Sequence, residues 1–323
     1  MPLRELKRED GLIQKGTRPA RFTGKDVFKT ALERYGSWPV SFWELNYQDN
    51  FVKKMKELIG DSGDVRKESW ESGYKTSLEN WNTRDKLTRK KMAGSFSRGK
   101  EKKIKHNVSI FNPELAIRCI NLYAPPIGEP GPRVGTCYDP FAGGGTRAIV
   151  AAKSGMDYVG VEIRLEEIVE IHRRAKNVNV NVKIIEGDSQ SVPELEDESA
   201  DFLLTCPPYY NLEKYNGGKN DLSMAATYED FLDMINRCVV ESYRILKEGA
   251  YACWVIGLHR DKNGNLLPMH HDLAFLAVKA GFSFREEVIL NLVQTGAMRR
   301  VGMFDKGNHL LIRVHEYLLV FKK

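Results

Sequence analysis

The run Asp139-Pro140-Phe141-Ala142-Gly143-Gly144-Gly145-Thr146 decides how this chain folds. Val134 to Tyr138, just before it, is a short strand pattern, and Thr146 to Ser154, just after it, is a small-residue helix pattern. The run therefore reads as a tight glycine turn between a strand and a helix. Consecutive glycines take side chains out of the turn, so the backbone can reverse sharply and come close to a ligand. The helix that follows offers N–H groups with no partner in its own first turn. The turn fits neither G-x-G-x-x-G nor G-x-x-x-x-G-K-[ST], and without a phosphate-binding lysine it argues against ATP hydrolysis.

Working outward, strand and helix patterns alternate. Tyr158 to Glu162, Val182 to Ile185, Phe202 to Thr205, Tyr251 to Ile256, Phe284 to Asn291 and Tyr317 to Phe321 read as strands. Leu165 to Lys176, Tyr228 to Leu246 and His271 to Ala280 read as helices, with Gly249 and Gly281 expected to mark two helix exits. This is an α/β succession, predicting a doubly wound, mostly parallel sheet with helices on both faces. Ligands of such folds sit beyond the carboxyl ends of the strands. Glu162 closes one strand, where an acid accepts hydrogen bonds from a ribose diol, and Asp188 follows the next, placed to accept from an adenine amine. Two such acids and a glycine turn without a phosphate lysine fit an adenosine joined to something other than a polyphosphate. S-adenosylmethionine (AdoMet) meets that description.

A second run, Thr205-Cys206-Pro207-Pro208-Tyr209-Tyr210-Asn211, follows a later strand. The two prolines restrict rotation and hold an extended loop. A base amino nitrogen is a poor nucleophile because its lone pair is delocalised into the ring. A loop that accepts its N–H hydrogens, through the Cys206 carbonyl and side chain, favours a pyramidal nitrogen aimed at a methyl donor. Tyr209, with Tyr210 and Asn211 beside it, is the expected platform for a base rotated out of its helix.

These two runs resemble those of DNA methyltransferases that modify an exocyclic amine, cytosine N4 or adenine N6. The first resembles the family's AdoMet-binding motif, which implies cofactor contacts at Asp139, Phe141, Ala142, Gly143, Gly145 and Thr146. The second resembles its catalytic motif, usually Asp, Asn or Ser before Pro-Pro-Tyr/Phe/Trp, and implies catalytic roles for Cys206, Pro207, Pro208 and Tyr209. Phe111-Asn112-Pro113-Glu114-Leu115 resembles the segment that holds the methionine end of the cofactor. His315 to Lys323 resembles the last core strand. The resemblance runs over residues 107–323, with the cofactor motif first in the chain. Cys206 departs from the pattern. Sulfur accepts hydrogen bonds poorly and is closest in size to the serine version, so cytosine N4 is preferred to adenine N6 as the expected target. A covalent cysteine route lacks its usual acid and proline–cysteine order. A noncatalytic AdoMet-sensing DNA-binding protein, and a methyltransferase acting on proteins or small molecules, are the alternative classes.

Charge divides the chain. Residues 1–110 hold 25 Lys/Arg against 15 Asp/Glu, and the remaining residues 24 against 28, giving +10 and −4. Ten basic residues lie between Arg84 and Lys105, opposed by Asp85 and Glu101. That stretch, 84–106, is expected to be either a solubilising linker or a phosphate-contacting segment in which Arg89, Lys90 and Lys91 touch DNA. Residues 1–83 carry Trp38, Trp43, Trp70 and Trp81 and are expected to form a small, helical module, with helices over Asp26 to Tyr35 and Asn50 to Ile59. Residues 107–323 form the expected catalytic domain. No recognition insertion separates Asp188 from Cys206, so the N-terminal third and the loop Gln294 to Asn308, with Arg299 and Arg300, are left to grip the duplex.

The five cysteines form no CxxC pair and are odd in number, so neither a disulfide scaffold nor a cysteine-rich zinc site is expected. No metal and no membrane partner are expected. The opening residues do not resemble an export signal, so a cytoplasmic protein is expected.

Overall fold

The computed structural model describes residues 41–45, 57, 111–129, 131–210, 212, 215, 217–291, 311 and 313–323. Contacts divide the chain into residues 1–60 with 110–323, and residues 61–109; the second unit lies wholly outside the described residues. So do the helix expected over Asp26 to Tyr35 and all but Glu57 of the one expected over Asn50 to Ile59.

The first described strand is β1 (Phe42–Glu44), followed by helix α1 (Pro113–Tyr123). Asn112 caps α1 by accepting from the Glu114 and Leu115 amides, and Pro113 fills the first turn, where its missing N–H costs nothing. Then come β2 (Thr136–Asp139), α2 (Thr146–Lys153), β3 (Asp157–Glu162), α3 (Leu165–Asn177), β4 (Lys183–Glu186) and β5 (Ala200–Thr205). Helix α4 (Tyr228–Ile245) opens on a capping box between Thr227 and Asp230. Strand β6 (Leu246–Ile256), the hairpin β7 (His259–Arg260) and β8 (Leu266–Leu267), α5 (Met269–Ala280), β9 (Ser283–Asn291) and β10 (His315–Lys322) complete the series.

Eight strands form one sheet in the order β1-β9-β10-β6-β5-β2-β3-β4. All neighbouring pairs are parallel except the two that β10 makes, with β6 and β9. Because strand side chains alternate, the core splits into two layers. Cys137, Phe202, Leu204, Cys253, Val255, Leu318 and Val320 pack with α1, α2 and Ile171 of α3. Tyr138, Leu203, Trp254, Ile256, Leu319 and Phe321 pack with α4 and α5. This is the expected doubly wound α/β architecture.

Two local expectations change. Gly249 does not close a helix: α4 ends at Ile245 and Gly249 lies inside β6, where its N–H bonds the Lys323 carbonyl. The chain passes directly from helix to strand at Ile245–Leu246 without a loop. Gly281 does cap α5, in the left-handed conformation. The strand β1, within residues read as a separate helical module, pairs parallel with β9 and puts Trp43 in the α1–α3 layer, 1% exposed. Phe42-Trp43-Glu44 is too short for its alternation to register as a strand.

Candidate active site

The parallel strands end at Asp139, Glu162, Glu186, Thr205 and Ile256, so the sheet's carboxyl edge collects both runs that the sequence singled out. Gly143 and Gly145 both take positive φ, +52° and +79°, which bends the chain from β2 into α2. A Cβ on Gly145 would also stand 2.9 Å from Ile171. The turn lies flat on β3: the Ala142 amide bonds the Val161 carbonyl at 2.9 Å. A Cβ at Gly160 would come within 2.8 Å of Ala142, so that strand glycine is what admits the turn.

Asp139 is fully buried and saturated from within. It accepts from the Phe141 amide at 3.1 Å, Arg147 Nε at 2.7 Å, Tyr158 OH at 2.8 Å and Thr205 Oγ1 at 2.7 Å. Arg147 also donates to the Phe141 carbonyl and lies 4.7 Å over the Phe111 ring. Burial, the largest single effect, disfavours its charge, but Asp139 together with Tyr158 and Cys206 more than offsets this and raises its pKa. Arg174 of α3 donates to the Gly144 carbonyl and to Thr146 Oγ1. Asp139, Ala142 and Thr146, expected at the cofactor, thus face into the protein and shape the turn from behind.

Glu162 meets the turn directly, and Phe111 is linked to it through Arg147. Glu162 Oε2 accepts from the Gly143 amide at 2.8 Å and Oε1 from the Arg164 amide at 3.0 Å, leaving each oxygen a second lone pair. Burial pushes its carboxyl above the usual range, opposed by those amide bonds. Asp188 is half-buried after β4, accepting from Gln190, while Ser189 Oγ donates to the Pro140 carbonyl and joins that loop to the glycine turn. Asn112 is 2% exposed, and its Nδ2 finds no hydrogen-bond partner. With Phe111 connected to the turn through Arg147, this orphaned donor suits a carboxylate such as the methionine end of AdoMet. The residues present therefore fit the group: a diol acceptor, an amine acceptor, a turn open to close approach and a donor for the carboxylate.

Beyond Thr205, Pro207 is buried and Cys206, Pro208, Tyr209 and Tyr210 are half-buried. Cys206 Sγ lies 3.5 Å from Tyr209 OH. The thiol pKa is pushed up to about 12, chiefly by burial, with Arg147 opposing. The Tyr209 ring rests on Gly257, just after β6; a Cβ there would sit 2.4 Å from the ring. Tyr210 turns away into an aromatic group with Tyr228 and Phe231, at 5.5 and 5.8 Å, and so braces α4. Asn211, Arg299, Arg300, Arg89, Lys90 and Lys91 lie outside the described residues.

Sequence reading missed Arg147, Arg174, Gly160 and Gly257. The glycines stood in unremarkable strand contexts. For Arg147 the available signal was a cation two residues past the last glycine of the turn, at a helix start where the dipole disfavours it, which implies a specific acid partner.

A family model described as DNA methylase, for N6 and N4 methyltransferases, matches residues 28–173. The match begins upstream of the region read as resembling the family and stops before the Thr205–Tyr210 run. The chain is 27% identical over 159 residues to the type II beta methyltransferase M.BslI of Bacillus sp. (strain NEB-606), covering 46% of this chain and 17% of that protein. It thus spans less than a fifth of that relative's length. Among solved structures, TrmN from Thermus thermophilus aligns with a TM-score of 0.44 and 14% identity, over 66% of this chain and 49% of that one. A SAM-dependent methyltransferase from Aquifex aeolicus aligns with a TM-score of 0.40 and 14% identity, over 65% and 89%. AdoMet is the cofactor expected of the matched family. The glycine turn on β3, the acid at the end of that strand and the partial family match agree: over residues 28–173 the chain is similar to the AdoMet-dependent exocyclic-amino (N6/N4) DNA methyltransferases.

Proposed function

We propose that this chain methylates an exocyclic amine of a DNA base, cytosine N4 in preference to adenine N6, with the base rotated out of a duplex. The observation that carries the reading is the shared carboxylate of Asp139, which fixes the strand feeding the glycine turn against the strand feeding Cys206-Pro207-Pro208-Tyr209. Methyl donor and amine are thereby held by two loops of one rigid edge, and positioning supplies much of the acceleration in such a transfer.

Bound AdoMet would supply an electrophilic methyl group on a sulfonium. Glu162 would hold the ribose hydroxyls, Asp188 the adenine amine and Asn112 the carboxylate end, with Phe111 and Pro113 lining that end. The turn at Phe141, Gly143 and Gly145 would let backbone approach. Tyr209, seated on Gly257, would present its ring to the flipped base. The Cys206 carbonyl would accept an N–H of the target amine. A thiol whose pKa is about 12 stays protonated at neutral pH, which supports a positioning role over covalent attack. The small, uncharged side chain at this position supports the serine-like version of the motif and hence cytosine N4. Asn211, Arg299 and Arg300, and Arg89, Lys90 and Lys91, are proposed DNA contacts, and a cytoplasmic site of action goes with that substrate.

The test is to incubate the protein with labelled AdoMet and mixed-sequence duplex DNA, digest to nucleosides and identify the product by mass. N4-methylcytosine is expected. N6-methyladenine would move the target within the family, and no labelled nucleoside would reject the reading.

A further inference from the structure

A carboxylate stands on the same sheet edge as Cys206. Glu316 is the second residue of β10, one position before the Tyr317↔Ile256 pair with β6. Leu318 and Val320 point into the α1–α3 layer, and Leu319 and Phe321 into the other. Alternation therefore gives Glu316 the phase of Leu318, the face on which Cys206 also packs. On β6 the next residue after Ile256 is Gly257, which carries the Tyr209 ring, and Tyr209 OH reaches Cys206 Sγ at 3.5 Å. Glu316, Gly257, Tyr209 and Cys206 thus follow one another along a single edge. Glu316 is half-buried. After burial, which dominates, and against Arg147, it is the carboxylate that most disfavours a Cys206 thiolate.

We propose that Glu316 is the hydrogen-bond and proton acceptor for the target amine, a role that the Cys206 sulfur fills poorly. The proposal rests on the methyl-transfer reading above. Sulfur is a weak acceptor, whereas a carboxylate accepts charge-assisted bonds about twice as strong as neutral ones. In the step, the amine nitrogen forms a bond to the methyl carbon while the carbon–sulfur bond breaks and its electron pair stays on sulfur. The nitrogen then gives up one of its protons to the Glu316 carboxylate, which passes it to water. The products are the methylated amine and S-adenosylhomocysteine.

Glu316→Gln keeps size and replaces the charged, proton-accepting carboxylate with a neutral amide, whose oxygen accepts only an uncharged hydrogen bond. On a duplex that the wild-type protein methylates, we expect kcat to fall about 100-fold. S-adenosylhomocysteine affinity by calorimetry should stay within about threefold, showing an intact cofactor site. A readout independent of turnover is duplex binding in the presence of S-adenosylhomocysteine, comparing the target base with its deaminated counterpart. The wild-type preference for the amine should shrink about fivefold in Glu316→Gln. Adding Cys206→Asp, which returns a carboxylate to the usual motif position, should restore most of kcat. A Glu316→Gln kcat within about threefold of wild type, an unchanged amine preference, or a loss that persists undiminished with Cys206→Asp overturns the proposal. If the wild-type protein methylates no base, the function reading falls and takes this proposal with it. If it does and Glu316→Gln matches it, only the role of Glu316 falls.

Discussion

Thr205 Oγ1 donates to Asp139 Oδ1 at 2.7 Å, so the last residue of β5 and the last residue of β2 share one buried carboxylate. Asp139 also holds Arg147, whose side chain spans the Phe141 carbonyl and the Phe111 ring. Thr205→Val preserves shape and removes one bond, so unfolding stability should drop by about 1–2 kcal/mol. Arg147→Met leaves the carboxylate without its cation and should cost about 3–5 kcal/mol. Urea melts with unchanged slope check both; equal losses in the two variants would mean Arg147 is not the partner that matters.

Gly160→Ala should weaken AdoMet binding although residue 160 touches no expected ligand atom. Its Cβ would press on Ala142 at 2.8 Å and lift the turn off β3. Glu162→Ala should weaken binding through lost diol acceptors and a lost Gly143 amide bond. Calorimetry on folded protein reads both, and affinities equal to wild type would place the cofactor elsewhere.

Cys206 should alkylate slowly with iodoacetamide at pH 8, because its thiol pKa is pushed up to about 12 chiefly by burial, and should react at an ordinary rate once the chain is unfolded in urea. Cys206→Ser should retain methylation, and mass spectrometry of a trapped protein–DNA complex should find no adduct at Cys206. An adduct would turn the chemistry towards a ring carbon.

His270 gives the fold an acid-side sensitivity. It is 6% exposed, stacks on Tyr317 at 4.2 Å, and its pKa is lowered to about 4 by burial and then by His271, His315 and Arg313. An unfolded histidine takes its proton near pH 6.5, while the folded one resists until about 4. Stability should therefore be whole above the unfolded value and decline as pH falls through that window. His270→Gln should flatten the decline in urea midpoints measured from pH 7.5 to 4.5.

The DNA-contact proposal for Arg89, Lys90 and Lys91 needs substitutions, not truncation. Removing residues 1–105 would also remove β1 and expose the surface that Trp43 covers. Neutralising the three side chains should lower the salt dependence of duplex binding by up to about three phosphate contacts. An unchanged slope across a salt series would exclude them.

Much of this was legible before any coordinates, because buried parallel strands and amphipathic helices leave strong periodicities. Every strand and helix read between Val134 and Phe321 occurs, with ends shifted by at most two residues except that β6 starts five residues earlier, at Leu246. The meeting of Glu162 with the Gly143 turn was legible because a glycine run after one strand and an acid closing the next both stand out at strand ends. What sequence could not give was the inward orientation of Asp139 and Thr146, since motif residues that shape a loop and those that touch its ligand are spelled alike. The role of Gly257 was equally hidden, because it exists only through a ring that arrives from a distant loop.

The pairing of β1 with β9 bears on how the chain is made. Phe42 lines up with Ile289, so this edge of the sheet joins segments about 250 residues apart. At ribosomal rates of about 5–20 residues per second, Phe42-Trp43-Glu44 waits roughly 12–50 s before its partner emerges. During that interval an indole destined for the core is without its seat, and a short unpaired strand is open to wrong partners. Vectorial synthesis therefore makes this seam a late event in the completion of the sheet.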